Sequence, residues 1–307
     1  MYIRMSLDWN DLRYFLSVAR TGRLTEASRR LGTDHATVSR RIKALEGALD
    51  ARLFERSPRG YALTEAGERL LAHAERMESS AARMQSEIAG ENMTLGGAVR
   101  VGAPDGFGTI FLAPRIGTLN RRYPELDLQI VAMPRVFSLS KREADIAIGL
   151  ARPTEGRLVT RKLTDYRLHL YASRSYLDEN NPIESPADLS DHVVIGYIPD
   201  LIFTPELDYL PQVSSQIKPR LTSSNLIAQM RAARAGAGLC ILPDFMALED
   251  PGLVSVLRDE IDLVRTFWLI LHADLHDIAR VRAVADFIVA EVEAARDLFM
   301  PDNPSIA

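Results

Sequence analysis

The chain has 307 residues, 47% hydrophobic and 25% charged, which excludes a mostly disordered or collagen-like polymer and leaves room for two or three domains with a sizeable core. Its net charge of −4 is unevenly spread: residues 1–62 carry 12 Lys/Arg against 7 Asp/Glu, and the remainder 25 against 34. A basic head on an acidic body points to a polyanionic partner for the head, although charge alone fits a chance surface distribution equally well.

Asp8 is placed to cap a first helix, because Leu12, Phe15, Leu16 and Ala19 follow at helical spacing. Gly22 supplies its C-terminal stop. A second helix is predicted over 24–31, with Ala27 small enough for close packing and Gly32 as its break. Asp34 then caps a third helix, whose buried stripe is Val38, Ile42 and Leu45. His35, Thr37, Ser39, Arg40, Arg41 and Lys43 lie off that stripe, all polar or cationic. Helix, tight turn and polar basic helix describe a helix-turn-helix. Cations neutralise phosphates, and short donors near a helix N-terminus reach base edges. A merely solvated helix face is the alternative. Leu53 and Phe54 anchor a charged turn over 55–60, and Tyr61, Ala62 and Leu63 return as a strand. This is the pattern of a wing that carries Arg56 and Arg59 to the DNA backbone or minor groove.

The segments ASRRLG (27–32), VSRRIKALE (38–46), LFER (53–56) and LTEAG (63–67) together resemble the winged helix-turn-helix of LysR-type transcriptional regulators. Length and order of parts extend the resemblance over essentially the whole chain. It implies base reading by His35, Ala36, Ser39 and Arg40. Many members have Gln at the position of His35, so the operator of a relative does not transfer: imidazole cannot offer the bidentate amide that reads adenine. The expected DNA contacts are Asp34, His35, Ala36, Thr37, Ser39, Arg40, Arg41, Lys43, Arg56 and Arg59.

After the wing, with Thr64 as cap, Leu63, Ala66, Leu70, Ala74, Met77, Ala81, Met84 and Ile88 recur at steps of three and four. This narrow seam suits a two-helix coiled coil, with docking onto its own domain as the alternative. In the family resembled, this helix dimerises and pairs two recognition helices on a two-fold site.

Strands are predicted over 98–102, 126–133, 145–150, 168–173, 192–197, 239–243 and 266–272, with helices over 106–123, 225–235 and 277–299. The resemblance implies a two-lobed effector domain like a periplasmic binding protein, with crossings near 163–167 and 264–268. Its cleft lies where strand ends meet helix N-termini, whose free amides favour anions. Ala103, Pro104, Asp105, Met133, Ser223, Ser224 and Asn225 occupy such positions, and the family analogy adds Gly149 and Tyr197. Helix capping alone also explains Asp105, Ser223 and Ser224. Relatives often have Ser or Thr near Asp105, and a fixed anion there disfavours a carboxylate ligand.

No stretch approaches the about 18–20 apolar residues of a membrane helix. Charges over Met1 to Asp11 argue against a secretory leader, so the expected location is cytoplasmic, with no membrane partner. The single Cys240 excludes an internal disulfide and a multi-thiolate zinc site. No dinucleotide fingerprint or Walker sequence is present, and the one compactly spaced histidine pair, His272 and His276, falls at a strand end or turn that gives no shared face, so neither metal, cofactor nor catalytic role is expected. The fold expected is α/β with an all-α winged head (1–65), a linker helix (66–93) and a two-lobed body (94–307). Lobe I spans about 94–165 and 267–300 and lobe II about 166–266. The function expected is a transcriptional regulator binding double-stranded DNA and a small-molecule effector as a homodimer or homotetramer, with RNA polymerase a further partner. A solute-binding protein and a cytoplasmic α/β enzyme with a helical appendage are the rival readings.

Overall fold

The computed structural model describes residues 8–57, 60–89, 95–133, 139, 143–214, 217–276 and 278–301. They form two compact units, a head ending with the linker helix and a body beyond it.

The head comprises α1 (Trp9–Thr21), α2 (Leu24–Leu31), α3 (His35–Leu49), β1 (Phe54–Ser57), β2 (Gly60–Leu63) and α4 (Glu65–Ala89). Asp8 caps α1 by accepting from the Asn10 amide at 2.9 Å, and Gly22 closes it in the left-handed region at φ 65°. The expected stripes become one core, in which Phe15, Ala27, Val38 and Leu45 are fully buried. β1 and β2 pair as an antiparallel hairpin. The Tyr61 amide donates to the Gly22 carbonyl at 2.8 Å, which docks the hairpin on the end of α1. Two glycines permit close approaches: a Cβ at Gly60 would strike the Gly22 carbonyl, and one at Gly67 the Leu53 carbonyl.

Thr64 accepts from the Gly67 amide at 3.0 Å and so caps α4. The seam of α4 divides in two. Ala66, Leu70 and Ala74 pack into the head's own core, with Ala74 fully buried. Met77 and Met84 are 44% and 54% exposed. Arg20 of α1 donates to both carboxylate oxygens of Glu78 at 3.2 and 2.7 Å, which fixes the first half of α4 against the head. A single continuous partner-facing seam was expected; half of it is spent within the chain. The Ile88 side chain lies outside the described residues.

Among the described residues, the body is built on one nine-stranded sheet. Its elements are β3 (Gly97–Ala103), α5 (Ile116–Arg122), β4 (Leu126–Ala132), β5 (Ile146–Gly149), β6 (Leu158–Ala172), α6 (Arg174–Glu179), β7 (Val194–Gly196), α7 (Leu210–Val213), β8 (Leu221–Thr222), α8 (Leu226–Arg234), β9 (Leu239–Pro243), α9 (Asp244–Ala247), β10 (Val254–Val256), β11 (Leu263–His272), α10 (Ala279–Ala294) and α11 (Arg296–Phe299). The strand order is β4-β3-β5-β11-β6-β9-β7-β8, with β10 also on β6.

β6 and β11 pair antiparallel along their length and run through both halves of the sheet. The Trp268–Leu271 part of β11 pairs with β5, whereas the Leu168–Tyr171 part of β6 pairs with β9. A bulge between Phe267 and Trp268 marks where the two halves meet. The helix expected over 106–123 is a π-turn (Phe107–Leu112), a 3-10 turn (Ala113–Arg115) and then α5, because Pro114 lacks the amide a regular ladder needs. The terminal helix breaks at Ala295 into α10 and α11, which lets Phe299 turn fully into the core. No helix among the described residues is long and apolar enough to cross a membrane.

Candidate DNA interface and effector cleft

α3 buries Val38, Ile42 and Leu45 and leaves His35, Ala36, Arg40 and Lys43 exposed, with Ser39 half-buried. Its start is rigid. Asp34 accepts from the Thr37 amide at 2.7 Å and from the Thr37 hydroxyl at 2.8 Å. The Thr37 amide, then its hydroxyl, hold the Asp34 carboxyl below its ordinary range. Asp34 and Thr37, both expected at the DNA, thus satisfy one another and shape the helix start.

Arg41, also expected at the DNA, is engaged inside the head. It donates to Asp11 at 3.0 Å and Asp8 at 3.3 Å and sits over the Tyr14 ring. Asp11 is buried, so it gives Arg41 a fixed intramolecular partner that the sequence pattern did not reveal. Arg56 is exposed on β1 with its guanidinium 5.5 Å from the Tyr61 ring centre. Arg59 lies outside the described residues. Glu46 is a positioning residue that sequence reading passed over: its Oε1 accepts from the Leu53 amide at 2.9 Å and the Phe54 amide at 3.4 Å, fixing the wing to the end of α3. Half-burial of the one acid at a helix end otherwise made of Ala44, Leu45, Gly47, Ala48 and Leu49 is invisible to periodicity.

In the body, Pro104, Asp105 and Tyr197 line one cleft. Ala103, Met133, Gly149, Ser223, Ser224 and Asn225, expected beside them, are not among its walls. Asn225 caps α8, accepting from the Ala228 amide at 2.9 Å, and Ser223 accepts from the Asn225 amide at 3.1 Å. The Met133 side chain is 44% exposed, and Gly149 pairs with Trp268 in the sheet. The walls the sequence did not point to are apolar and aromatic: Tyr166, Leu207, Tyr209, Phe245 and Phe267 among them. Tyr166 stacks on Phe267 at 4.1 Å between ring centres, and Phe107 meets the same ring at 4.9 Å.

Asp105 joins the two sides of this cleft. Its carboxylate accepts from the Leu226 amide, the first of α8, at 2.7 Å and from the Gly106 amide at 3.1 Å. It is 5% exposed. Burial raises its pKa, while the Leu226 and Gly106 amides pull the other way. Cleft residue and helix cap are therefore one role, although the helix capped is α8, 121 positions away, in addition to its own turn. The remaining cavity is about 30 Å³, the share of liquid volume taken by one water.

A second buried carboxylate, Asp244, accepts from Tyr171 at 2.6 Å and Arg258 at 3.0 Å and bonds His169 Nδ1 at 2.7 Å. Burial alone would raise its pKa; His169, Tyr171 and Arg258 outweigh that and hold it low.

Residues 94–293 match the family described as LysR substrate binding domain, and residues 9–68 match the bacterial regulatory helix-turn-helix protein, lysR family. The transcriptional regulator CrgA of Neisseria meningitidis (serogroup C, strain 8013) is 27% identical over 293 residues, 94% of this chain and 98% of its own. The Mau operon transcriptional activator of Paracoccus denitrificans is 27% identical over 281 residues, 92% of this chain and 95% of its own. The solved structure of Neisseria meningitidis CrgA, a LysR-type transcriptional regulator, superposes with a TM-score of 0.58 at 25% identity, over 92% of this chain and 98% of that one. With a head that presents a basic recognition helix and a body that holds a two-sided cleft, the chain belongs to the LysR family of transcriptional regulators, which bind DNA through the former, a small-molecule effector through the latter, and oligomerise.

Proposed function

We propose that His35, Ala36, Ser39 and Arg40 enter the major groove, that Lys43, Arg56 and Arg59 neutralise phosphates, and that Asp34, Thr37, Arg41 and Glu46 hold the reading helix in place. The observation that carries this is the split of α3, with its apolar stripe buried and His35, Ala36, Arg40 and Lys43 exposed. The boundaries that follow are a head over 1–65, a linker over 66–93 and an effector body over 94–307. Two chains pair through the distal half of the linker, in the cytoplasm, and RNA polymerase is the downstream partner. The body responds to a molecule without a carboxylate at the N-terminus of α8, because Asp105 already fills that place. Genome-wide recovery of DNA bound to the chain tests the reading. Enrichment of a few two-fold sites upstream of genes supports it, and recovery no greater than from a chain lacking the head overturns it.

A further inference from the structure

The interlobe cleft retains little free space, and a larger cavity, open to solvent, shares one of its walls. Tyr197, Phe203, Leu207 and Tyr209 each face both spaces. Among the described residues, the lining of this second cavity runs from Tyr197 to Leu210 and Pro211, with Ile217 and Pro219, and its volume is about 700 Å³. Ligand sites generally run from about 300 to 1,000 Å³, whereas the cleft itself holds about 30 Å³.

We propose that this second cavity is a binding site for a neutral, apolar, ring-bearing molecule. Its walls are mostly hydrophobic, and Asp208 is the one charged side chain among the described residues that line it. With no lining cation to meet it and a carboxylate already present, an anionic ligand is disfavoured. Tyr197 and Tyr209 are buried and meet edge to face, with ring centres 6.1 Å apart. Such an edge suits a further ring better than an ion. Pro199, Pro205, Pro211 and Pro219 stand in the lining. Proline fixes φ, so much of the wall is set before anything binds and little ordering cost remains.

Occupancy can reach the sheet. Arg265 of β11 donates to the Glu206 carbonyl at 3.2 Å and to Gln212 Oε1 at 2.9 Å. A displaced wall at Glu206 and Gln212 therefore pulls on a strand that runs through both halves of the body. That consequence rests on the body's being the sensor; the binding itself does not.

The test uses the full chain, without DNA, and N-phenyl-1-naphthylamine as a neutral probe. Saturable binding of one probe per chain is expected, insensitive to added benzoate. Ile202→Trp fills the cavity from its half-buried wall and is expected to weaken binding about tenfold or more. In Ile202→Cys, bound probe is expected to slow iodoacetamide labelling, because the only other thiol, Cys240, is fully buried. No saturable binding overturns the proposal, as does binding that neither Ile202→Trp weakens nor Ile202→Cys labelling senses. A separate DNA-affinity measurement with probe present reports only on the sensor reading.

Discussion

Arg40 and Arg41 are neighbours in the chain, but helical geometry sends one to solvent and the other to Asp11 and Asp8. Arg40→Ala is expected to cut discrimination between operator and random DNA by about 1–3 kcal/mol. Arg41→Ala leaves the buried Asp11 carboxylate without its cation and is expected to cost about 1–3 kcal/mol of head stability. Urea denaturation and gel shifts at two salt concentrations separate them. Equal losses of specificity with no loss of stability would show that both side chains reach the DNA. Asp105 poses a similar question of where a charge is spent. Serine is too short to span to α8, so Asp105→Ser frees the Leu226 amide and removes a like charge. Acetate and benzoate are then expected to bind more tightly than to the unaltered chain, by about 0.5–2 kcal/mol. Calorimetric titration decides it, and identical affinities for the two proteins would remove Asp105 from the control of ligand choice.

Among the elements, β6, β9, α9 and β10 converge on Asp244, whose carboxylate is completely buried. Removing its charge strands Arg258 and His169, so Asp244→Asn is expected to lose about 3–5 kcal/mol near neutral pH. The native carboxyl titrates below its ordinary 3.8, so its contribution is complete above that value and disappears as pH falls through the native one. The gap in stability between the two proteins is therefore expected to narrow on acidification; a constant gap in pH-dependent thermal melts would exclude the ion-pair account. This network was not legible in the sequence, because its members lie far apart in the chain and meet only through strand pairing. The same cause hid the start of β6. Strand signals were read from Leu168, whereas the strand begins at Leu158, in a stretch whose residues are half exposed and held by β11. Local signals fared better where local chemistry decides: the caps Asp8, Asp34 and Thr64, the stops Gly22 and Gly32, and the apolar run of β9 all appear where the sequence placed them. For the cleft, strand ends pointed to Pro104 and Asp105 and the family resemblance to Tyr197, whereas Tyr166 and Phe267 fell in the segments expected to cross between the lobes and carried no signal of their own as cleft walls.

At the scale of the whole molecule, the divided seam of α4 sets what assembly can do. Ala74 is fully buried in the head, whereas Met77 and Met84, one heptad apart, remain exposed. An exposed pair of large apolar side chains at that spacing is the start of a coiled-coil face. Because the head completes its own core with Leu70 and Ala74, it is expected to fold whether or not the partner is present. Assembly and folding are then separable by mutation. Met77→Glu or Met84→Glu is expected to halve the mass in light scattering and to leave the melting of the head nearly unchanged. Operator affinity is expected to fall by about 10²–10⁴, the effective-concentration gain of binding two half-sites together, while binding to random DNA changes far less. Ala74→Glu puts a charge inside the head and is expected to unfold it, which marks the boundary between the two halves of the seam. Unchanged mass and unchanged operator affinity in both methionine variants would mean that the chains pair through another surface.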